Sequence, residues 1–337
     1  MLSLILVFLC LFVPLLQASA EGPIKDGFYN EYDKAGHLTR TLEYQYGQLN
    51  GRFRTYYPDG RIQGTGRYLN GRLDDEALGF WPSGVVKIKS FYHEGKLHGP
   101  ATLYYANGKV QAEASYINGV QDGLTKEYDE LGRPTWERNF VAGKETGVAK
   151  EFYPNGQVLR EYDYKDGRQI GFIREYYEDG QLKGIYQALN GIKQGFGKEY
   201  YSNGHVMREG PMENNTFEGI VKMYYKDGSF RGQANFKKGL MNDEAWREFY
   251  PTGELKVLVK VVDGKKQGVA KEYYPSGILK NQGTFKDNLR QGLFQYFNDK
   301  GQLMAESEFL HDVRLKYREY TPDGKVSMEQ VFFLQGQ

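Results

Sequence analysis

The sequence predicts an all-β protein, an elongated single-layer antiparallel β-sheet of tandem 24-residue β-hairpin repeats, on the strength of three periodicities. The glycine of a Pro-Asn-Gly-like turn recurs at Gly36, Gly60, Gly84, Gly108, Gly132, Gly156, Gly180, Gly204, Gly228, Gly253, Gly277, Gly301 and Gly324. The gaps are 24 eight times over, then 25, 24, 24 and 23. An aromatic residue stands four places before each of these thirteen glycines, from Tyr32 and Tyr56 to Phe297 and Tyr320. Further glycines recur at +11 (Gly71, Gly95, Gly119) and at +15 (Gly99, Gly123, Gly147), counted from the turn glycine. Below, copies are numbered 1 to 13 by turn glycine, and positions are counted from it.

Taken in order, residues 1–20 (MLSLILVFLCLFVPLLQASA) are an apolar run closed by Ala18-Ser19-Ala20, which reads as a secretory signal cleaved after Ala20. A retained anchor is the alternative, because no Lys or Arg stands near the start. Cys10 lies inside the run without small residues before it, so a lipoprotein reading is set aside. The expected location is periplasmic or secreted, with residues 21–337 forming one array after the short lead-in EGPIKD.

Within a copy the first strand ends in the aromatic at −4. The turn, as in Pro154-Asn155-Gly156, suits a three-residue hairpin loop in which Pro presets the first φ and Gly takes a left-handed third place. The second strand carries an aliphatic residue or Phe at +2 in twelve copies, with Pro134 the exception, and an aromatic at +8 in ten. Strict alternation puts −4, +2 and +8 on one face, as an aromatic–aliphatic–aromatic bar, and −3 and −5 on the other. Position −5 is Glu in eight copies, and the basic residue at −6, as in Lys150 and Arg174, is read as a stem lying along the sheet with its charge in water. Gly-x-x-x-Gly between +11 and +15 reads as the connection into the next hairpin. Two strands per copy give about 26 strands, a ribbon on the order of 120 Å long at ~4.8 Å per strand.

Some copies depart from the pattern. Copies 3 and 10 open with Asp74-Asp75-Glu76 and Asn242-Asp243-Glu244, read as hinge points or as tolerated drift in a connection. Asp33, Asp129, Asn298 and Thr321 replace the aromatic at −3. The end of the chain, Val331-Phe332-Phe333-Leu334, is an apolar edge and a site for self-association.

The chemistry-bearing residues do not converge. The 44 basic and 43 acidic residues nearly cancel, which excludes nucleic-acid binding by bulk charge. His93 and His98 are the only close pair among the five histidines and lack a metal-ligand pattern, and no nucleophile, phosphate-loop or Cys-x-x-Cys motif is present. Carboxylates recur with the repeat, as a solvated face does, and unlike groups do not gather into one pocket. The expectation is a non-enzyme without cofactor or metal. Asn214-Asn215-Thr216 matches a glycosylation acceptor formally. The candidate partner-binding residues are the aromatics at −3, namely Tyr57, Trp81, Tyr105, Tyr153, Tyr177, Tyr201, Tyr225, Tyr250 and Tyr274. A ladder that only stiffens the sheet is the competing reading.

Runs such as Y-Y-P-x-G-x-L-x-x-E-x-x-Y-x-x-G-x-x-x-G resemble the variant form of the MORN repeat (membrane occupation and recognition nexus), found in bacterial proteins described as YwqK-like antitoxins. The resemblance covers about residues 27–336 and departs from the better-known MORN pattern in lacking a regular G-x-G at the end of each copy. It implies twisted single-layer sheets of successive hairpins. For function it implies an immunity-like protein that neutralises a toxin or effector, with a lipase-type effector as one class. A cell-envelope scaffold contacting membrane lipid or polysaccharide is the alternative.

Overall fold

A computed structural model describes residues 25–332. The signal segment 1–20 and residues Phe333 and Leu334 lie outside the described residues. Every regular element among the described residues is a β-strand. The chain divides into two compact units, Met1–Arg168 and Gln169–Gln337.

The first unit contains copies 1 to 6, from the strand Gly27–Tyr32 to the strand Val158–Lys165. Copy 6 shows the common register: Phe152 pairs with Val158, Glu151 with Arg160, Lys150 with Glu161, Ala149 with Tyr162, Val148 with Asp163 and Gly147 with Tyr164. The loop is the expected three-residue one. Tyr153 N–H donates to the Gln157 carbonyl at 2.8 Å, and Gly156, at φ 86°, donates to the Tyr153 carbonyl at 2.9 Å.

The same register overturns one expectation. Because −4 pairs with +2 while −5 pairs with +4, the residue at +3 is an extra one, a β-bulge that shifts the side-chain parity of the second strand. Positions −4 and +2 therefore share one face, and +8 lies on the other, opposite −9. Burial confirms the split. The packed clusters are Leu42, Tyr44, Leu49, Phe53 and Tyr68, then Ile88, Leu97, Ala101, Ala114 and Tyr116. These are positions +4, +6, +8, −7 and −11. We call this the core face. The open face carries −4, −6 and −8 with +2, +5, +7 and +9.

The second unit contains copies 7 to 13, from the strand Arg168–Tyr176 to the strand Val326–Val331. Its core face is built from the same positions, with Ile173, Tyr186, Val221, Phe236, Trp246, Phe294 and Phe309 among the buried residues. The backbone ladder is interrupted between Phe230–Lys237 and Asp243–Phe249, at the copy with the added residue. Asp243 fills the gap: Asn235 N–H donates to its Oδ2 at 3.0 Å and Ala245 N–H to its Oδ1 at 2.9 Å. Gly232 lies against the neighbouring backbone there, since a Cβ on it would stand 2.4 Å from the Arg247 carbonyl oxygen.

Successive copies are joined by two-residue turns. Asn70 and Gly71, at φ 50° and 76°, are both left-handed, the type I′ geometry that matches strand twist. At copy 3, Asp75 (φ 69°) takes the place glycine holds elsewhere, and Asp74 N–H donates to the Arg67 carbonyl at 3.0 Å. The same bond recurs as Asp122 to Ser115 and Glu218 to Pro211, both 2.9–3.0 Å. The opening of copy 3 is thus a bulge that regular copies also build.

Candidate functional site

The nine −3 aromatics lie at the margin of the core face, half-buried. Eight of them are seen to donate to a carbonyl in the next copy, at the residue that ends its first strand. Tyr57 Oη donates to Phe80 O at 2.7 Å, Trp81 Nε1 to Tyr104 O at 3.1 Å and Tyr105 Oη to Tyr128 O at 2.8 Å. In the second unit Tyr177 donates to Tyr200 O at 2.7 Å, Tyr201 to Tyr224 O at 2.9 Å and Tyr225 to Phe249 O at 2.8 Å. Tyr250 and Tyr274 continue the series to Tyr273 O and Phe297 O, at 2.8 and 2.9 Å. Tyr153 occupies the same position in copy 6 and is also half-buried. Because a −4 residue sits at the end of its strand, this carbonyl needs a partner from outside the hairpin, and the phenol of the preceding copy is within reach.

Several rings are also covered. The bulge residue at +3 brings a cation over the −3 ring: Lys87 over Trp81 at 4.5 Å, Lys183 over Tyr177, Arg231 over Tyr225 and Lys256 over Tyr250 at 5.7 Å each. Around Tyr225 this becomes a closed cluster. Its hydroxyl shares its one proton between the Phe249 carbonyl and Glu248 Oε1, the latter at 3.0 Å, and Arg231 and Lys256 reach the same carboxylate at 3.3 and 3.4 Å. Burial, reinforced by the charge of Glu248, pushes the Tyr225 phenol up to about 12. Burial acts to raise Glu248 as well, but the bonds from Arg231 and Tyr225 outweigh it and hold the carboxyl below its ordinary range.

Where −3 is not aromatic, the side chain caps its own turn instead. Asp129 Oδ1 accepts the N–H groups of Leu131 and Arg133, both at 2.9 Å, and Asn298 Oδ1 accepts those of Lys300 and Gln302 at 3.0 and 2.9 Å. Asp33 does the same for Ala35 and His37, both at 2.9 Å. Position −3 therefore holds either a tie to the next copy or a local Asx-type cap.

The core face changes character in copies 5 and 6. Leu49 and Leu97 at −11 give way to Gln121 and Glu145. Gln121 Nε2 donates to Thr125 Oγ1 at 2.6 Å, whereas Oε1 of Glu145 is buried without a hydrogen-bond partner. Burial pushes the Glu145 carboxyl up; Arg138 opposes that rise and Glu127 adds to it. His93 and His98 stand edge to face with ring centres 5.9 Å apart. Among the described residues no three His, Cys, Asp or Glu side chains are grouped to hold a metal ion.

The open face carries a row that strand alternation alone did not single out. At −8 stand Leu124 (44 % exposed) and Val148 (43 %) in the first unit, and Phe172 (37 %), Phe196 (41 %), Ile220 (51 %), Val269 (56 %) and Leu293 (51 %) in the second. The signal was present in the sequence, as the residue following the +15 glycine in Gly147-Val148, Gly195-Phe196 and Gly219-Ile220. Beside this row runs the −6 row of Lys and Arg. In the second unit a shallow groove lies beside Phe172, lined also by Gly171, Gln187, Leu189 and Gly195 among others.

Comparison with known proteins agrees with this geometry. The MORN repeat variant matches residues 49–70, 97–118, 145–166, 217–238 and 266–287, and the MORN repeat matches residues 189–206. Each variant match runs from −11 to +10 of its copy, from the core-face residue to the first residue of the type I′ turn. Among curated proteins none matches. Among solved structures, the chain is similar at 13 % identity to a chain of the TcdB2–TccC3–Cdc42 crystal structure, covering 90 % of this chain and 22 % of that one, with a TM-score of 0.16. A chain of the Photorhabdus luminescens Tc holotoxin pore is similar at 13 % identity, 90 % and 21 % coverage and a TM-score of 0.16. This chain thus spans about a fifth of theirs, and a likeness at that TM-score carries no argument. Over the matched stretches, the hairpin of this chain is similar to the MORN repeat, chiefly in its variant form.

Proposed function

We propose that the chain is a non-enzymatic, exported binding protein that holds a protein partner on the open face of its repeat sheet. The observation that carries this reading is the exposed apolar row at −8, repeated in register through copies 7, 8, 9, 11 and 12. Exposed apolar side chains that recur on one face and are rimmed by charge mark interaction surfaces more often than they mark structure. The specific form we favour is an immunity protein acting in the periplasm, where the sheet would occlude a toxin and needs no chemistry of its own. The resemblance to antitoxin-like MORN-variant proteins supports that form.

The −3 aromatics remain a second candidate row, because their rings are half-exposed while their hydroxyls tie the copies together. Two variants separate the rows. Replacing Phe196, Ile220 and Val269 together by Ser is expected to abolish capture of the partner with little change in thermal stability. Replacing Tyr177 and Tyr201 by Ser is expected to lower stability first. Capture that survives the first variant and is lost in the second, at a temperature where both stay folded, would move the site to the −3 row. Co-expression with a toxin encoded beside this chain tests the immunity form: survival that depends on the −8 row supports it. Binding to vesicles or glycan with no protein partner would favour an envelope scaffold instead.

A further inference from the structure

The open face differs between the two units in which residues stand opposite its cations, and that difference bears on what the partner must look like. Across each hairpin the basic residue at −6 is opposed by +5. In copies 5 and 6 of the first unit a carboxylate stands opposite the cation in the ladder, Glu137 opposite Lys126 and Glu161 opposite Lys150. In copies 8 to 11 of the second unit the −6 row is Lys198, Lys222, Arg247 and Lys271, and the residues opposite are Glu209, Gln233, Leu258 and Gln282. Glu209 binds Lys198 at 2.8 Å and is also the cross-strand neighbour of Lys222 through its other ladder. Arg247 and Lys271 make no ion pair among the described residues, and Lys222 and Arg247 are exposed.

Four cations against one carboxylate is a charge excess laid along the exposed row of Phe196, Ile220 and Val269. Successive −6 residues lie two strands apart, or about 9.6 Å at ~4.8 Å per strand. We propose that this face of copies 8 to 11 docks an acidic polypeptide segment, with apolar side chains seated on the −8 row and carboxylates set at intervals of roughly 10 Å against the −6 row. The inference rests on the protein-binding reading above and adds the chemistry of the partner. Two features favour a polypeptide over another polyanion. The row is mainly aliphatic, which offers nucleic-acid bases no stacking platform. Glu209 stands between Lys198 and Lys222, where a uniformly anionic nucleic acid or lipid surface is repelled and a polypeptide can present a neutral or basic side chain.

The test uses the full chain at physiological salt with four fluorescent probes: a random Glu–Tyr copolymer, poly-Glu, an oligothymidylate and phosphatidylglycerol vesicles. The copolymer is expected to bind at micromolar concentration and to lose at least about ten-fold in affinity in the Lys222→Glu/Arg247→Glu/Lys271→Glu variant, the loss growing as salt is lowered. The corresponding triple Gln variant is expected to lose less, in the same direction, and it keeps the test meaningful if charge reversal impairs folding. Poly-Glu, lacking apolar groups, is expected to bind more weakly than the copolymer. Absence of copolymer binding, indifference to both triple variants, or tighter binding of the oligonucleotide or vesicles through the same residues would overturn the proposal. A basic protein captured through Ile220 and Val269, and held more tightly by the Glu variant, would also overturn it while leaving the protein-binding reading intact.

Discussion

Removing one oxygen atom tests how the copies are held together. In Tyr201→Phe the ring stays and only the 2.9 Å bond to the Tyr224 carbonyl is lost. A neutral, half-buried bond of this kind contributes about 0.5–1.5 kcal/mol net. In a repeat array that loss is felt by the two copies that share the interface and little beyond them. Native-state hydrogen exchange is the suitable assay, because a long array need not unfold in one step. Amides of the strands Ile192–Tyr200 and Gly219–Tyr224 are expected to exchange about two- to ten-fold faster, the equivalent of that energy, while copies 11 and 12 are unchanged. Tyr201→Ser, which also removes the ring, is expected to cost more. Tyr201→Asp should fall between them, because Asp can take up the two turn caps that Asp129 makes at the same position. If Tyr201→Phe exchanges like the wild type while Tyr201→Ser opens copies 8 and 9, the ring rather than the hydroxyl joins the copies. If protection falls evenly along the chain, the nearest-neighbour picture fails.

Three further outcomes follow from particular contacts. Glu145→Leu places at −11 the residue that Leu49 and Leu97 already provide in the core, and is expected to stabilise by about 1 kcal/mol, read as a rise in melting temperature. Its folded carboxyl lies above the ordinary value of 4.5, so the penalty is present at neutral pH and is relieved as pH falls through the raised value; Glu145→Gln should therefore exceed the wild type at pH 7 and match it near pH 4. Glu248 has the opposite sign: with its folded carboxyl held below 4.5, the advantage of wild type over Glu248→Gln is present at neutral pH and shrinks as pH falls below about 4.5, and an advantage that persisted at pH 2 would contradict the pairing with Arg231. Gly232→Ala puts a methyl 2.4 Å from the Arg247 carbonyl oxygen, so the strand must move where the ladder is already interrupted; a cost of about 1–3 kcal/mol is expected, and a neutral result would mean that this junction is loosely packed.

The period and the turn were legible because each rests on a backbone requirement that glycine reports directly; the strand count was not, because bulges split off Arg72–Leu73, Val120–Gln121, Thr216–Phe217 and Leu240–Met241 and give 30 strands among the described residues where two per copy give about 26. Gly156 at φ 86° and Gly71 at φ 76° occupy conformations that other residues adopt at a cost, so their recurrence marks the turns. The faces were less legible. Alternation assigns +8 to the face of −4 and +2, and one inserted residue at +3 reverses that assignment for the rest of the strand. Nothing in residue type announces the bulge, since +3 is Lys87 in one copy, Leu159 in another and Met207 in a third. The apolar row at −8 was hidden for a related reason, because it follows a glycine that reads as part of a connection. The −3 aromatics were found by their recurrence, but recurrence alone does not reveal a tie to the next copy; the Oη to carbonyl distances show it.

The two faces are under different constraints, and this explains where variation is found. On the core face a substitution must be answered by a neighbour. In copies 8, 11 and 12 the turn carries Asn215, Asn288 or Asp312 where most copies have glycine, and each side chain accepts the −11 N–H at 2.8, 2.7 and 2.9 Å. In those same copies −11 is Lys193, Lys266 or Arg290, whose cation lies over Tyr186, Phe285 or Phe309 at 3.4, 5.1 and 4.0 Å. Turn and core thus change together. The open face has no such coupling: Val148, Phe196 and Ile220 stand at one position without altering the register of their strands. Residue choice there is free of that coupling: Glu137 and Glu161 stand opposite the cations of copies 5 and 6, whereas Gln233, Leu258 and Gln282 stand opposite those of copies 9 to 11, the stretch on which we propose that an acidic partner docks.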